Sequence, residues 1–368
     1  MSITRKERTT EEYKKKLEIL PHSTRNGKID AANKFQKFCK EHHDTTSEEL
    51  CKELLILKKQ NEEEYIDALY DILQEWITEY SQKVNPNTLR TLFTNVRSYI
   101  YYFGIKTDSQ DVNQLLSLPR IQKEEKYPLK HRELRKIIDD QVRNSVRKAL
   151  YLACSSSGMR MGEAVQITKS DLEFKERIQI NIRPEYTKTQ TGRSVFISKE
   201  CQQILETYLN NLNDNEPIFY KGKCEKAQNR VCSEDARLSE CVIRLGLDMR
   251  YTSSGIHKIT SHNFRAFFFT QAVRKHGENY AHKLTGHGGY LMQYDRMTDD
   301  EKLKMYIELE PELVVFDISK QKLEIEKLKM QQNKEMKEMK KEIDSMKSQL
   351  AKQGMEILDK LRQENKIE

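Results

Sequence analysis

Apolar residues recur at spacings of three and four along much of the first 118 residues, and no other feature constrains the fold as strongly. This period matches one face of an α-helix. It runs through AANKFQKFCKEH (31–42), EEYIDALYDILQEWITEYSQKV (63–84) and NTLRTLFTNVRSYIYYFGI (87–105). The segments STRNGK (23–28) and VNPN (84–87) contain residues that commonly end helices, so they predict breaks. Residues 1–118 are therefore predicted to form a helical domain.

The third of these segments has a polar face. Asn87, Arg90, Thr94 and Arg97 share this face, opposite the leucine, valine and aromatic residues of the same helix. Amide, hydroxyl and guanidinium groups suit contacts with the phosphates of DNA. A solvated surface gives the same pattern and is the more common cause. The four residues are therefore candidates for DNA binding, although the local sequence alone does not establish this role.

A charged segment with two prolines, PRIQKEEKYPLKHREL, spans residues 119–134 and lacks apolar periodicity. It predicts a linker that leads into a second domain over residues 135–317. In this domain RIQINIR (177–183) and RSVFIS (193–198) alternate apolar and polar residues, which predicts a β-hairpin. Helical patterns surround the hairpin. The expected fold class is mainly α with a small antiparallel β-sheet.

The last segment, residues 318–368, is rich in Lys, Glu, Gln and Met and has no aromatic residue. Gln353 and Gly354 interrupt an otherwise regular spacing of apolar residues. This spacing predicts a charged helical tail, either a short imperfect coiled coil or a solvated helix. The residues at the a and d positions of the heptad are Met336, Met339, Ile343, Met346, Leu350 and Ile357.

The composition excludes several classes of protein. Charged residues make up 33% of the chain, the mean hydropathy is −0.82, and no run of about 18 apolar residues predicts a membrane span. The charged start MSITRKERTTEEYKKK lacks the apolar core of a signal peptide. The seven cysteines form no Cys-x-x-Cys pair, as expected for free thiols in a reducing cytoplasm. The net charge of +7 is compatible with nucleic-acid binding but does not establish it.

Two short motifs place basic residues beside turns. In SSSGMRMGEAV (155–165), Gly158 ends one helix and Arg160 precedes the next, a position from which a guanidinium can meet an anion. Glu163 is expected either to orient Arg160 or to cap the second helix. Lys188 lies in the turn of the predicted hairpin, where it is either a solubilising residue or a mobile cation that reaches a substrate.

Two further motifs supply histidines and tyrosines. In TSHNFRAFFF (260–269), His262 and Arg265 lie one helical turn apart on the same face. In KLTGHGGYLMQYDRM (283–297), His287 lies between two glycines, which let a ligand approach the backbone closely, and Tyr290 and Tyr294 follow.

Together these residues suit one reaction. A tyrosine phenol, whose pKa is about 10, is a poor nucleophile unless a base or nearby cations stabilise the phenolate. Arginines and a histidine can stabilise the charge that a phosphodiester gains in the transition state, without a cofactor or a metal. The lysine would protonate the departing 5′ oxygen and the other histidine would accept the phenol proton. The product would be a 3′-phosphotyrosyl bond.

GMRMGE, YTKTQTGRSVFIS, HNFR and LTGHGG…QY occur in the order and approximate spacing of the tyrosine recombinases, the phage integrase family. The resemblance covers residues 128–300, and the run from GHGG to LEPEL is most similar to integrases of archaeal viruses and plasmids. It implies a helical core-binding domain, a catalytic domain, a double-stranded DNA partner and a homo-multimer on DNA. The catalytic residues that it implies are Arg160, Lys188, His262, Arg265, His287 and Tyr294.

One spacing departs from the family pattern. The nucleophile usually follows the histidine by about nine residues, but position 296 is Arg. Tyr294 follows His287 by seven residues and Tyr290 by three, so Tyr294 is favoured and Tyr290 is expected to pack. Tyr306 lies in a separate amphipathic segment. The expected function is a site-specific DNA recombinase or integrase. The alternatives are a resolvase or topoisomerase-like enzyme, a catalytically silent DNA-binding protein of the same fold, and a helical interaction protein.

Overall fold

The computed structural model describes residues 8–287 and 296–364. The chain divides into two compact units, Met1–Glu125 with Tyr251–Gly255, and Lys126–Arg250 with Ile256–Glu368. The division after Glu125 falls inside the segment that the sequence marks as a linker. Among the described helices, none is long and apolar enough to cross a membrane.

The first unit is helical. Its longest helices each bury one apolar face in a common core that includes Phe35, Trp76, Leu89 and Val96. Asn85 caps the last long helix by accepting a hydrogen bond from the backbone N–H of Thr88, and a proline follows at the first helical position. The helices are α1 Thr10–Lys16, α2 His22–His42, α3 Ser47–Gln60, α4 Glu62–Ser81, α5 Pro86–Phe103 and α6 Ser109–Leu115.

One predicted break is wrong. The segment 23–28 lies inside α2, which begins directly after Pro21 and continues without interruption to His42. Gly27 costs a helix about 1 kcal/mol relative to alanine, but the carbonyl of Gly27 also accepts a hydrogen bond from the Asn95 side chain. Packing against α5 and burial of the apolar residues that follow, such as Phe35, outweigh the local preference. The predicted break at 84–87 is confirmed between α4 and α5.

The second unit combines helices with a three-stranded sheet. A separate hydrophobic core, which includes Tyr151, Phe196 and Phe264, holds these elements together. The helices are α7 His131–Asp139, α8 Ser145–Ser157, α9 Met161–Ala164, α10 Lys199–Leu209, α11 Ala227–Arg244, α12 Ser261–His276, α13 Glu278–Thr285, α14 Asp299–Leu313 and α15 Asp317–Glu364. The strands are β1 Leu172–Phe174, β2 Ile178–Ile182 and β3 Arg193–Phe196.

The sheet has the order β1-β2-β3 and is antiparallel throughout, so the predicted hairpin and the predicted fold class are confirmed. Ile180 pairs with Leu172 on one side and with Val195 on the other. The first strand was not predicted, because three residues are too short to show an alternating pattern.

Helix α8 lies at the centre of the second unit. Residues 149–157 are all buried, as expected for a helix that is covered on every side, and α8 packs against α10, α12 and β3. It ends at Gly158, whose φ of +70° belongs to the left-handed region. A Cβ at this position would lie 2.5 Å from the Phe268 ring and 2.9 Å from Thr285. Glycine is therefore required where the chain turns toward Arg160.

Candidate active site

Arg160 lies at the junction of α8 and α9. It occupies the N-cap position of α9, two residues after the glycine turn, and its side chain is half-buried. The predicted turn and the predicted start of a new helix are both observed here. A guanidinium at the N-terminus of a helix lies where an anion is also favoured by free backbone N–H groups.

Glu163 connects this arginine to a second one. Its carboxylate accepts hydrogen bonds from the backbone N–H and the Nη1 of Arg160, both at 2.8 Å. It also accepts two from Arg193, at 3.2 Å from Nη1 and 2.6 Å from Nη2. The Glu163 side chain is only 2% exposed. Burial alone would raise its pKa, but the Arg193 guanidinium, helped by Arg160, holds the pKa below its ordinary value. The two roles weighed for Glu163, orientation of Arg160 and helix capping, are both present.

Arg193 also reaches the segment that carries His287. Its Nε donates a hydrogen bond of 2.7 Å to the carbonyl of Leu284, at the end of α13. Gly286 follows with a φ of +67°, and a Cβ there would lie 3.0 Å from the Arg193 side chain. The absence of a side chain at Gly286 therefore makes room for Arg193. One buried arginine thus links β3, the α9 N-terminus and the α13 C-terminus.

Arg265 is more deeply buried than Arg160 and Arg193. It is only 2% exposed, on α12, and its Nη1 donates a hydrogen bond of 2.6 Å to the carbonyl of Gly158. Its Nη2 donates to the carbonyl of Thr285. The Nε of Arg265 is buried and has no hydrogen-bond partner among the described residues. Burial, followed by the charge of Arg160, lowers the pKa of Arg265 to about 9, so the guanidinium remains charged at neutral pH. The carboxylate of Glu163 offsets this effect only in part among the described residues.

His287 contacts Arg265 directly. The Nε2 of His287 lies 3.1 Å from Nη2 of Arg265, and its Nδ1 lies 3.3 Å from Oγ1 of Thr285. A guanidinium only donates, so Nε2 must accept. The Thr285 hydroxyl already donates to the carbonyl of Ala281, so Nδ1 must donate to it. Both contacts define the same neutral tautomer, with the proton on Nδ1.

The charge state of His287 follows from its surroundings. Burial, then Arg265 and Arg160, lower the pKa of His287 to about 4. The histidine is therefore neutral at physiological pH in the structure described here. A bound anion would offset the neighbouring positive charges and raise this pKa.

His262 lies at the start of α12, one turn before Arg265, as predicted. Its side chain is exposed. Partial desolvation, then the charges of Arg265, Arg160 and Lys126, lower its pKa. A neutral imidazole that remains open to solvent can accept a proton from an incoming group.

Lys188 lies in the turn between β2 and β3, as predicted. It is exposed, and the structure gives it no hydrogen bond or ion pair with any described residue. Thr187 stabilises the turn, because its hydroxyl accepts a hydrogen bond from the backbone N–H of Thr191 at 3.0 Å. The structure thus brings Arg160, Arg265, His262 and His287 into mutual electrostatic contact, but not Lys188.

Of the three tyrosines considered as the nucleophile, the structure describes one. Tyr290 and Tyr294 lie outside the described residues. Tyr306 is fully buried in α14, and its hydroxyl donates a hydrogen bond of 3.0 Å to the carbonyl of Ser156. Burial raises the pKa of Tyr306 well above its ordinary value, which opposes phenolate formation. Tyr306 is therefore a packing residue.

The polar face of α5 lies in the first unit. Asn87, Arg90 and Thr94 are exposed and Arg97 is half-buried. Arg90 donates a hydrogen bond of 3.3 Å to the carbonyl of Pro119. Arg97 donates one of 2.7 Å to the Thr107 hydroxyl. The two arginines are held in place on this face, with three of the four side chains open to solvent.

Residues 127–292 match a protein family described as the phage integrase family. This range contains Arg160, Lys188, His262, Arg265 and His287, and it ends two residues before Tyr294. This region belongs to the phage integrase family. The resemblance seen in the four motifs is therefore confirmed, and the chain carries an integrase-type catalytic region with a helical unit before it.

Solved recombinase structures are similar to the chain at low sequence identity. The XerH recombinase bound to a palindromic difH substrate, in a post-cleavage complex, has a TM-score of 0.49 and 16% identity, covering 80% of this chain and 82% of that one. A lambda integrase (75–356) dimer bound to a COC' core site has a TM-score of 0.45 and 13% identity, and the match covers 78% of this chain and 97% of that one. The XerA recombinase has a TM-score of 0.38 and 17% identity, and the match covers 82% of this chain and 98% of that one. No curated protein sequence matches the chain.

Sequence reasoning missed two residues of the site. Arg193 was assigned only to a strand, although a charged residue that begins an otherwise buried strand is a signal of a specific partner. Thr285 was not considered, yet its carbonyl and hydroxyl position Arg265 and His287. Neither role is visible without the fold, because Arg193 meets its partner Glu163 across 30 residues of sequence.

Proposed function

We propose that the protein is a site-specific DNA recombinase that acts in the cytoplasm and cuts and rejoins DNA through a 3′-phosphotyrosyl intermediate. The family match supports this function for residues 127–292. The observation that carries the chemistry is the group of guanidiniums from Arg160, Arg193 and Arg265 around the single carboxylate of Glu163.

The charge of this group favours a phosphate. Glu163 can balance only one of the three guanidinium charges, and Arg265 is buried with its Nε unpartnered among the described residues. A phosphodiester brings one negative charge and two nonbridging oxygens that accept hydrogen bonds. In the transition state these oxygens gain charge, so Arg160 and Arg265 would stabilise that state more than the substrate. His287 would join them once the phosphate raises its pKa.

The cleavage step uses the remaining residues. The phenol oxygen of Tyr294 attacks the phosphorus, and the bond between phosphorus and the 5′ oxygen breaks. His262 accepts the phenol proton, because its neutral side chain is open to solvent. Lys188 donates a proton to the departing 5′ oxygen, which requires the hairpin turn to bring it to the scissile phosphate. Attack by a 5′ hydroxyl of another strand reverses these transfers and rejoins DNA.

Trapping on DNA tests the nucleophile. A duplex with a nick near the cleavage site loses a short fragment after cleavage, so the covalent adduct accumulates and survives SDS. We expect the adduct to be absent in Tyr294→Phe and present in Tyr290→Phe and Tyr306→Phe. Loss of the adduct only in Tyr290→Phe would move the nucleophile to that residue. Absence of an adduct from the unmodified chain on its recombination site would refute the enzyme.

A modified leaving group tests Lys188. A 5′-bridging phosphorothiolate releases a thiolate that needs no proton. Lys188→Ala should therefore slow cleavage of ordinary DNA much more than cleavage of the phosphorothiolate. Equal slowing of the two substrates would assign Lys188 to DNA binding rather than to proton donation.

The polar face of α5 is proposed to contact the DNA backbone. Arg90→Ala should weaken binding of duplex DNA and reduce the salt dependence by about one released counterion. Lys37→Ala is a matched control, because Lys37 is exposed on α2 of the same unit and forms an ion pair with Glu41 at 3.6 Å. An equal effect of the two substitutions would mean that α5 contributes only general positive charge.

Three alternatives remain as outcomes of these tests. DNA binding without any adduct would indicate a catalytically silent protein of the same fold. Products that resolve one DNA molecule, rather than join two, would indicate a resolvase, and relaxation of supercoils without exchange would indicate a topoisomerase-like enzyme.

A further inference from the structure

Helix α15 exposes a continuous apolar stripe. Met336, Met339, Ile343, Met346 and Leu350 follow one another at spacings of three and four along one face. Each is between 48% and 67% exposed, so the stripe is not covered by the rest of the described chain. Such a row is the seam that a second helix covers in a coiled coil.

We propose that this stripe pairs with the same stripe of a second copy of the chain, as a parallel, in-register, two-stranded coiled coil. With Met336, Ile343 and Leu350 at a positions and Met339 and Met346 at d positions, the flanking e and g positions are fixed. The interface would run from Met336 to Leu350, which is about 21 Å of helix.

The charges beside the seam select the partner and its direction. Glu335 and Glu342 occupy the g positions, and Lys340 and Lys347 occupy the e positions. In a parallel pair, each g residue faces the e residue five positions later in the other helix. Glu335 would then face Lys340 and Glu342 would face Lys347, twice each by symmetry. In an antiparallel pair g faces g and e faces e, which places like charges together.

The same charges argue against other occupants. Between Glu335 and Leu350, lysines and acidic residues are equal in number, so the helix lacks the excess positive charge that DNA or an anionic membrane surface would favour. The segment also has no aromatic residue to anchor it at a membrane interface. A second copy supplies both the apolar seam and the complementary charges.

The pairing is expected to be reversible. Three of the five seam residues are methionines, which pack adaptably and specify an interface weakly. Gln353 replaces the next d residue, and Gly354 lowers helix stability at the following position, so the seam ends near Leu350. The full chain should therefore pass from monomer to dimer as its concentration rises.

Sedimentation equilibrium of the full chain without DNA tests the pairing. The double variant Glu335→Lys with Glu342→Lys leaves lysines at all four charged flanking positions and should weaken the dimer about tenfold or more. Adding Lys340→Glu and Lys347→Glu to the same chain restores opposite charges in a parallel pair and should restore the dimer. A change in helix propensity alone would not be reversed in this way.

Oxidative cross-linking tests the direction. Cys232 is the exposed native thiol among the described residues, so Cys232→Ser provides the background. Met336→Cys and Leu350→Cys should each cross-link to itself. In an antiparallel pair centred on the seam, each would lie about 21 Å from its own copy, and only a mixture of the two variants would cross-link. Ser348→Cys, on the outer face, is the control and should remain uncoupled.

Three results would overturn the proposal. They are a monomer at every concentration, a dimer that the charge reversal leaves unchanged, and cross-links that form only between the two different cysteine variants. None of these measurements uses DNA or cleavage, so the outcome is independent of the proposed recombinase function.

Discussion

Replacing Arg193 should separate the stability of the catalytic unit from the rate of DNA cleavage. Arg193→Ala removes two charge-assisted hydrogen bonds to Glu163 and one to the carbonyl of Leu284. It leaves a carboxylate that is 2% exposed with Arg160 as its remaining charged partner. Removing one member of a buried ion pair costs about 3–5 kcal/mol. This loss is comparable to a large part of a typical domain stability of roughly 5–15 kcal/mol.

Arg177 provides a matched control. It forms another buried pair in the same unit, with Glu310 at 2.8 Å, and the two side chains are 7% and 0% exposed. Among the described residues its partners are Glu310 and the carbonyl of Glu176, and neither is a candidate catalytic residue. Arg177→Ala should therefore lower the free energy of unfolding by a similar amount. Because the single tryptophan, Trp76, lies in the other unit, urea-dependent pulse proteolysis is a better measure of this stability than tryptophan fluorescence.

Cleavage then distinguishes the two arginines. Under conditions in which both variants are folded, single-turnover cleavage of nicked DNA at saturating concentration should slow about tenfold or more in Arg193→Ala, since Arg160 loses its fixed position. The affinity for DNA should change much less, and Arg177→Ala should retain the unmodified rate. A folded Arg193→Ala that cleaves normally, or equal slowing in both variants, would refute the view that Arg193 positions the site.

Three more predictions follow from single positions. Gly286→Ala should cost about 1–3 kcal/mol more than Gly246→Ala in denaturation, because both glycines have a φ of +67° but only a Cβ at Gly286 meets Arg193. Burial and the nearby guanidiniums lower the pKa of His287, so the NMR titration of this histidine should have a midpoint of about 4. In the unfolded chain the same histidine binds a proton near pH 6.5. The folded state should therefore lose stability relative to the unfolded state as the pH falls from about 6.5 to 4. A midpoint near 6.5 would contradict this environment. Tyr306→Phe should cost about 1 kcal/mol and still form the adduct; loss of the adduct would reassign its role.

Much of the fold could be predicted from periodicity, and the errors have local causes. The long helices and the hairpin show their periods clearly, because each covers several turns or alternations. The break assigned to 23–28 was wrong since packing of α2 against α5 outweighs the preference of Gly27 for a turn. The three-residue strand β1 is defined by its pairing with β2, which no local pattern reveals.

The sequence predicted which residues form the site better than it predicted how they contact one another. Residue type and family order identify Arg160, Arg265, His262 and His287, which the structure brings together. The tautomer of His287 depends instead on which neighbouring groups already donate hydrogen bonds, and those groups lie on α12 and α13. The catalytic roles of these four residues stay predictions, as do those of Tyr294 and Lys188.

The positions of Glu163 and Arg193 explain how a fold can hold several cations at one place before an anion binds. Without a carboxylate, three guanidiniums this close would repel one another in a partly buried site. Glu163 offsets part of that repulsion and fixes Arg160 and Arg193 by directed hydrogen bonds, while Arg265 is fixed mainly by backbone carbonyls. Among the described residues one carboxylate does not balance the three guanidinium charges. This part of the site is therefore positively charged, and its arginines are already held in place. A scissile phosphate would then complete the balance of charge without a rearrangement of the arginines, which is the condition for stabilising a transition state by preorganised charge.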